Sequence, residues 1–152
     1  MITKVISGGQ TGADRAGLQC AKDLGIETGG YIPKGFRTEN GNELHLGNQF
    51  GLIETQSEFY PERTHLNVQS SDGTVLFGNT YSKGSKLTIS LCVASKKPHV
   101  YNPTSAYLAW WIKKLDIKTL NVAGNRASKN PNVYAQTYST LKQAIQILQR
   151  EW

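Results

Sequence analysis

The chain has 152 residues, 38% of them hydrophobic and 18% charged, and its 17 Lys and Arg outweigh 11 Asp and Glu to give a net charge of +6. That is the size of one folded domain with a real core, and no repeat, low-complexity segment, signal peptide or apolar run of membrane-spanning length interrupts it. The positive balance suits a small anionic ligand; the lysines are scattered rather than massed, which disfavours nucleic acid as the partner.

The first element is a short β-branched strand, Lys4-Val5-Ile6. Ser7-Gly8-Gly9-Gln10-Thr11-Gly12 follows as a glycine-rich turn. Then Gly17, Cys20, Ala21 and Leu24 recur at helical spacing, and Gly25 stops that helix. A strand, a glycine turn and a helix N-terminus together make an anion cradle, because the free N–H groups and the positive dipole end point at the turn. The pattern is neither the dinucleotide fingerprint nor a P-loop. Asp14 either caps the helix or holds a ligand hydroxyl or metal, and Arg15 is either a solvated residue or a phosphate fork.

A second strand is expected over Ile26–Ile32, ending at Pro33. Residues 33–57 read as a long irregular loop that carries Lys34, Arg37 and Glu39. Residues 57–69 read as a helix, and Thr74-Val75-Leu76-Phe77 as a buried strand. Gly78–Gly84 is a second polar loop. Residues 87–93 alternate like a strand, yet we read a helix, because two parallel strands need a crossover. His99-Val100-Tyr101 is the fourth strand. Pro103, Thr104 or Ser105 opens a helix striped by Leu108, Trp111, Ile112 and Leu115. Thr119–Ala123 is the fifth strand and 124–128 a third polar loop. Asn130 and Pro131 open the last helix, striped by Tyr134, Tyr138, Leu141, Ile145 and Leu148.

Alternating strands and helices predict an α/β fold: residues 1–152 as a single Rossmann-like three-layer domain with a parallel sheet of about five strands, in the order 2-1-3-4-5. Loops 8–14, 78–85 and 124–128 all follow strands, so they should converge at one sheet edge. Gly9, Thr11, Gly12, Gly84 and Ser85 are the expected anion site, with main-chain amides as donors. Cys20 and Cys92 read as buried free thiols of a reducing, cytoplasmic compartment. The histidines His45, His65 and His99 lack metal-ligand spacing, so no structural metal is expected. Trp110 is spare beyond its helix stripe, which makes a homo-oligomer plausible.

These segments carry a resemblance. Gly8-Gly9-Gln10-Thr11-Gly12-Ala13-Asp14-Arg15, Gly29-Gly30-Tyr31-Ile32-Pro33-Lys34-Gly35, Arg63-Thr64 with Asn67-Val68, Ser71-Asp72-Gly73-Thr74 and Asn121-Val122-Ala123-Gly124 resemble the "putative molybdenum carrier" family. That family lies in the Rossmann-like SLOG group, which also holds proteins once labelled lysine decarboxylases. The resemblance implies a nucleotide- or cofactor-type phosphate ligand, the molybdenum cofactor for carrier relatives, and no established reaction. It adds Gly8, Gln10, Lys34, Asp72 and Gly124 to the expected ligand-binding residues, beside Asp14 and Arg15. Where the family tends to show Gly-Gly-Thr, this chain has Lys83-Gly84-Ser85. The related phosphoribohydrolases carry a glutamate one helical turn on, at the place of Thr88, and a hydroxyl cannot serve as acid or base there. The expectation is therefore a binding protein for a phosphorylated cofactor or nucleotide. The alternative is a nucleotide-processing enzyme with Asp14 or Asp72 as acid/base and Arg15 as phosphate clamp.

Overall fold

The computed structural model describes residues 1–151. In chain order its elements are β1 (Lys4–Ile6), α1 (Ala13–Asp23), β2 (Glu27–Ile32), β3 (Arg37–Thr38), β4 (Gly41–Asn42), α2 (Leu46–Phe50), β5 (Leu52–Glu54), α3 (Tyr60–Gln69), β6 (Gly73–Phe77), α4 (Lys83–Ala94), β7 (His99–Tyr101), α5 (Ser105–Lys114), β8 (Thr119–Gly124) and α6 (Val133–Glu151). The sheet is α/β, Rossmann-like and parallel throughout, in the order β5-β2-β1-β8-β6-β7. Helices α1, α5 and α6 pack together on one side of it, and α3 and α4 on the other.

The sheet has six strands rather than five. The added strand, β5, lies in the stretch read as irregular, which also holds the β3–β4 ribbon and α2. Only Leu52 of β5 is buried, and Ile53 is 59% exposed at the sheet edge, so the strand shows no periodicity to read. The order 2-1-3-4-5 is also corrected. The last strand, β8, lies between β1 and β6, pairing Val5 with Leu120 and Val122 with Val75. Burial explains why the pattern could not decide this. Strands β6 and β8 are both covered on two faces, so neither shows the alternation that would name a neighbour.

The segment 87–93 is helical, within α4. Its buried face is Ser85, Thr88 and Cys92, while Leu87 and Leu91 are half-buried and Ala94 is exposed. The side of the sheet under α3 and α4 is thus packed with hydroxyls and amides, including Thr64, Asn67, Thr74 and Asn121. The side under α1, α5 and α6 is apolar, built on Leu108, Ile112, Leu141, Ala144 and Ile145. Trp111 belongs to that core; Trp110 and Leu115 are 55% and 46% exposed. The last helix begins at Val133, after a turn in which the Asn130 carbonyl accepts from the Val133 N–H. Its stripe starts from Val133 and Thr137, which turns Tyr134 out to 37% exposure. Cys20 and Cys92 are buried free thiols. Among the described residues no helix is long and apolar enough to cross a membrane.

Candidate functional site

The turn after β1 closes on itself. The Gly9 N–H donates to Ser7 Oγ at 3.2 Å, and the Gln10 N–H to Asp14 Oδ2 at 3.2 Å. The Ala13 N–H donates to the Asn125 carbonyl at 3.2 Å. Thr11 donates its hydroxyl to Glu39, whose carboxylate also accepts from the Ser128 hydroxyl. These two hydroxyls hold the Glu39 carboxyl below its ordinary value. Gly12 has φ +82°, and a Cβ there would lie 2.4 Å from the Asn125 carbonyl oxygen. The glycine is needed so that this turn can press against the turn after β8.

The turn after β6 stays open. Ser82 caps α4, its Oγ accepting from the Ser85 N–H at 3.3 Å. The Lys83 and Gly84 amides take no partner among the described residues. A Cβ on Gly84 would meet nothing within 4 Å. The third turn supplies Asn125, which is buried; its side chain donates to the Asn79 carbonyl at 3.1 Å and to Ser82 Oγ at 3.2 Å. Asn125 therefore ties the second and third turns together.

Between these turns and the start of α3 lies a cleft of about 970 Å³. Gln10 and Asp14 come to it from the first turn, Asn79, Ser82, Lys83 and Gly84 from the second, and Gly124, Asn125, Arg126 and Lys129 from the third. Phe59, the N-cap of α3, and Tyr60 and Arg63 of α3 close it from the other side. All four segments follow the carboxyl ends of strands, where ligands sit in open α/β sheets. Among the described residues four cations line the cleft against one acid, Asp14. That acid is engaged: Arg63 Nη1 lies 3.4 Å from Asp14 Oδ2, and Gly8, for want of a side chain, leaves room for the guanidinium. Burial pushes the Asp14 carboxyl up from its ordinary value, opposed by Arg63 and by the Gln10 N–H. The Tyr60 ring carries the guanidinium groups of Arg37, Arg63 and Arg126 at 5.8, 5.3 and 5.5 Å from its centroid. Three cations held around one aromatic ring make a strongly positive wall.

The sequence from residue 5 to residue 145 matches the model of the circularly permuted YpsA SLOG family. The chain belongs to that SLOG family. The place of β8 between β1 and β6 fits a permuted connectivity. A crystal structure described as a putative molybdenum carrier protein from Syntrophus aciditrophicus SB is similar to this SLOG chain at 37% identity, covers 95% of each chain and superposes with a TM-score of 0.85. No curated protein matches the sequence.

Within this SLOG fold the expected ligand residues divide. Gln10, Asp14, Gly84 and Gly124 meet at the cleft. Gly8 and Gly9 lie buried behind it, while Thr11 and Gly12 are spent on Glu39 and on the third turn. Ser85 is buried beneath its cap. Arg15 points away, donating to the Gly9 carbonyl at 3.0 Å and to Glu43 at 3.1 Å. Lys34 is exposed outside the lining, its N–H on the Ser57 carbonyl. Asp72 sits at the opposite sheet edge, where Oδ2 accepts from the N–H groups of Lys118 and Thr119 at 3.0 and 2.9 Å. Because it precedes β6, it caps the amino end of the sheet, which is a bracing role. The cleft's main cations, Arg63 and Arg126, were not among the expected residues. Arg63 stood in a segment that carried the resemblance, and Arg126 in the third polar loop.

Proposed function

We propose that the cleft binds a small phosphorylated ligand, a nucleotide or a phosphorylated pterin-type cofactor, and that the protein acts as a carrier for it. One observation supports this above the others: Arg63, Arg126, Lys83 and Lys129 line a single cleft beside the uncovered Lys83 and Gly84 amides. Hydrogen bonds to charged groups contribute about 1.5–3 kcal/mol each, so two or three of these donors on one phosphate would give useful affinity. The name of the Syntrophus relative makes the molybdenum cofactor the first candidate ligand. The volume of about 970 Å³ is ample for a molecule of that class.

Carriage is favoured over hydrolysis by the state of the acids. Among the described residues Asp14 is the one carboxylate in the lining, and it accepts from Arg63 and from the Gln10 N–H. The Thr88 hydroxyl donates to the Gly84 carbonyl at 3.1 Å and is buried. Native mass spectrometry of the purified protein should detect a co-purifying phosphorylated small molecule. Incubation with a panel of nucleoside monophosphates should release no free base. Steady release that Asp14→Asn abolishes would replace the carrier reading with an enzyme.

A further inference from the structure

Resting on the reading of the cleft as a phosphate-ligand site, we propose that Gln10 and Arg63 also recognise the ligand's ring. The ligand would then be a phosphorylated heterocycle whose edge sets an N–H donor beside an acceptor, as the lactam of a nucleobase or a pterin does.

The observation is a pair of orphaned atoms. Gln10 is 2% exposed. Its Nε2 donates to the carbonyls of Gly8 at 3.2 Å and Arg37 at 3.0 Å. Those two acceptors fix the amide, since the flipped orientation would set oxygen against oxygen. Oε1 is left buried with no partner among the described residues, and so is the Nε of Arg63. Thr137 Oγ1 completes the set of such side-chain atoms. Two of the three therefore belong to residues that line one cleft. Buried polar groups are paired in about nine cases in ten or more, so an unmatched acceptor and donor at one site point to a ligand that matches them.

The chemistry of Oε1 decides between phosphate and ring. A phosphate oxygen can accept from Arg63 Nε, but near neutral pH a phosphate monoester is largely an acceptor and offers little to Gln10 Oε1. A ring N–H donates to Oε1, and the neighbouring carbonyl or ring nitrogen accepts from Nε. The 63%-exposed Phe59, in the lining, supplies an aromatic face for such a ring.

Calorimetric titration of the intact protein tests this with pyrophosphate, ribose 5-phosphate, the common nucleoside 5′-monophosphates and a pterin phosphate. At least one ring-bearing phosphate should bind tenfold or more tightly than ribose 5-phosphate. Methylating its edge N–H should remove that advantage, and so should Gln10→Met. The methylated ligand keeps the test sound if the variant does not fold. Equal binding of ribose 5-phosphate and every ring-bearing phosphate, or no effect of methylation, overturns the proposal and leaves the phosphate site standing. Failure of every phosphate to bind overturns the reading of the cleft and the proposal with it.

Discussion

The turns after β1 and β6 are built from similar residues and end in different states. Each follows a parallel strand, contains glycine and opens a helix. In the first, amides at Gly9, Gln10 and Ala13 are consumed by Ser7, Asp14 and Asn125. Although the Thr11 and Gly12 amides take no partner among the described residues, Gly12 is buried against the main chain of residues 125–127. In the second, the Lys83 and Gly84 amides take no partner among the described residues, both residues are exposed, and the space beside Gly84 is open. A glycine-rich turn at a helix N-terminus is therefore an anion site only where the rest of the chain leaves it uncovered. The first turn has become a structural joint, and what it gives the cleft is the buried floor of Gln10 and Asp14.

The largest effect should come from Gly12→Val. The positive φ and the main-chain atoms 2.4 and 2.8 Å from the added Cβ leave no escape, so we expect a loss of about 4 kcal/mol or more in urea unfolding. A well-folded Gly12→Val protein would show that the joint is looser than described. Next is Asp14→Asn. It keeps an acceptor for the Gln10 N–H but strips the largely covered Arg63 guanidinium, whose side chain is 17% exposed, of its counter-charge, for a cost of about 3 kcal/mol. Unchanged stability would mean that Arg63 finds solvent instead.

This contrast was only partly legible in the sequence. The elements β1, β6 and β8 and the ends of α1 and α5 follow from local signals: apolar runs, the αL Gly25 and the Thr104 cap. The convergence of three loops follows from parallel connectivity alone. Which turn stays open depends on Glu39 and Asn125, which reach the first turn from 28 residues (Thr11 to Glu39) and from more than a hundred residues away. No local pattern encodes such contacts. Asp72 is different. It precedes a strand in a parallel sheet, so its place at the far edge could have been inferred from position. Strand β5 and the place of β8 were beyond reach, because a three-residue edge strand has no period and buried parallel strands look alike.

Gly84→Val probes the open turn. The Cβ has free space, so stability should change by less than about 1 kcal/mol. Affinity for pyrophosphate should nonetheless fall at least tenfold, because the side chain covers the free amides. A folded variant with full affinity would remove this turn from the site. The smallest effect concerns pH. The folded-state value of Glu39 lies below its ordinary 4.5, so its link to Thr11 and Ser128 is at full strength above that pH and is lost as pH falls through the folded value. Amide exchange in residues 37–43, corrected for its intrinsic pH dependence, should therefore speed up on acidification below pH 4.5. Glu39→Gln should make that correction sufficient by itself. A ribbon equally protected at pH 3.5 and pH 6 would contradict the link.

The most direct measurement is an amide-resolved NMR titration of the protein with pyrophosphate. The account predicts that the largest shifts fall on Lys83 and Gly84 and their neighbours at the start of α4, while Gly9 and Gly12 move little. Shifts centred on Gly9–Gly12, with Lys83 and Gly84 unmoved, would contradict it.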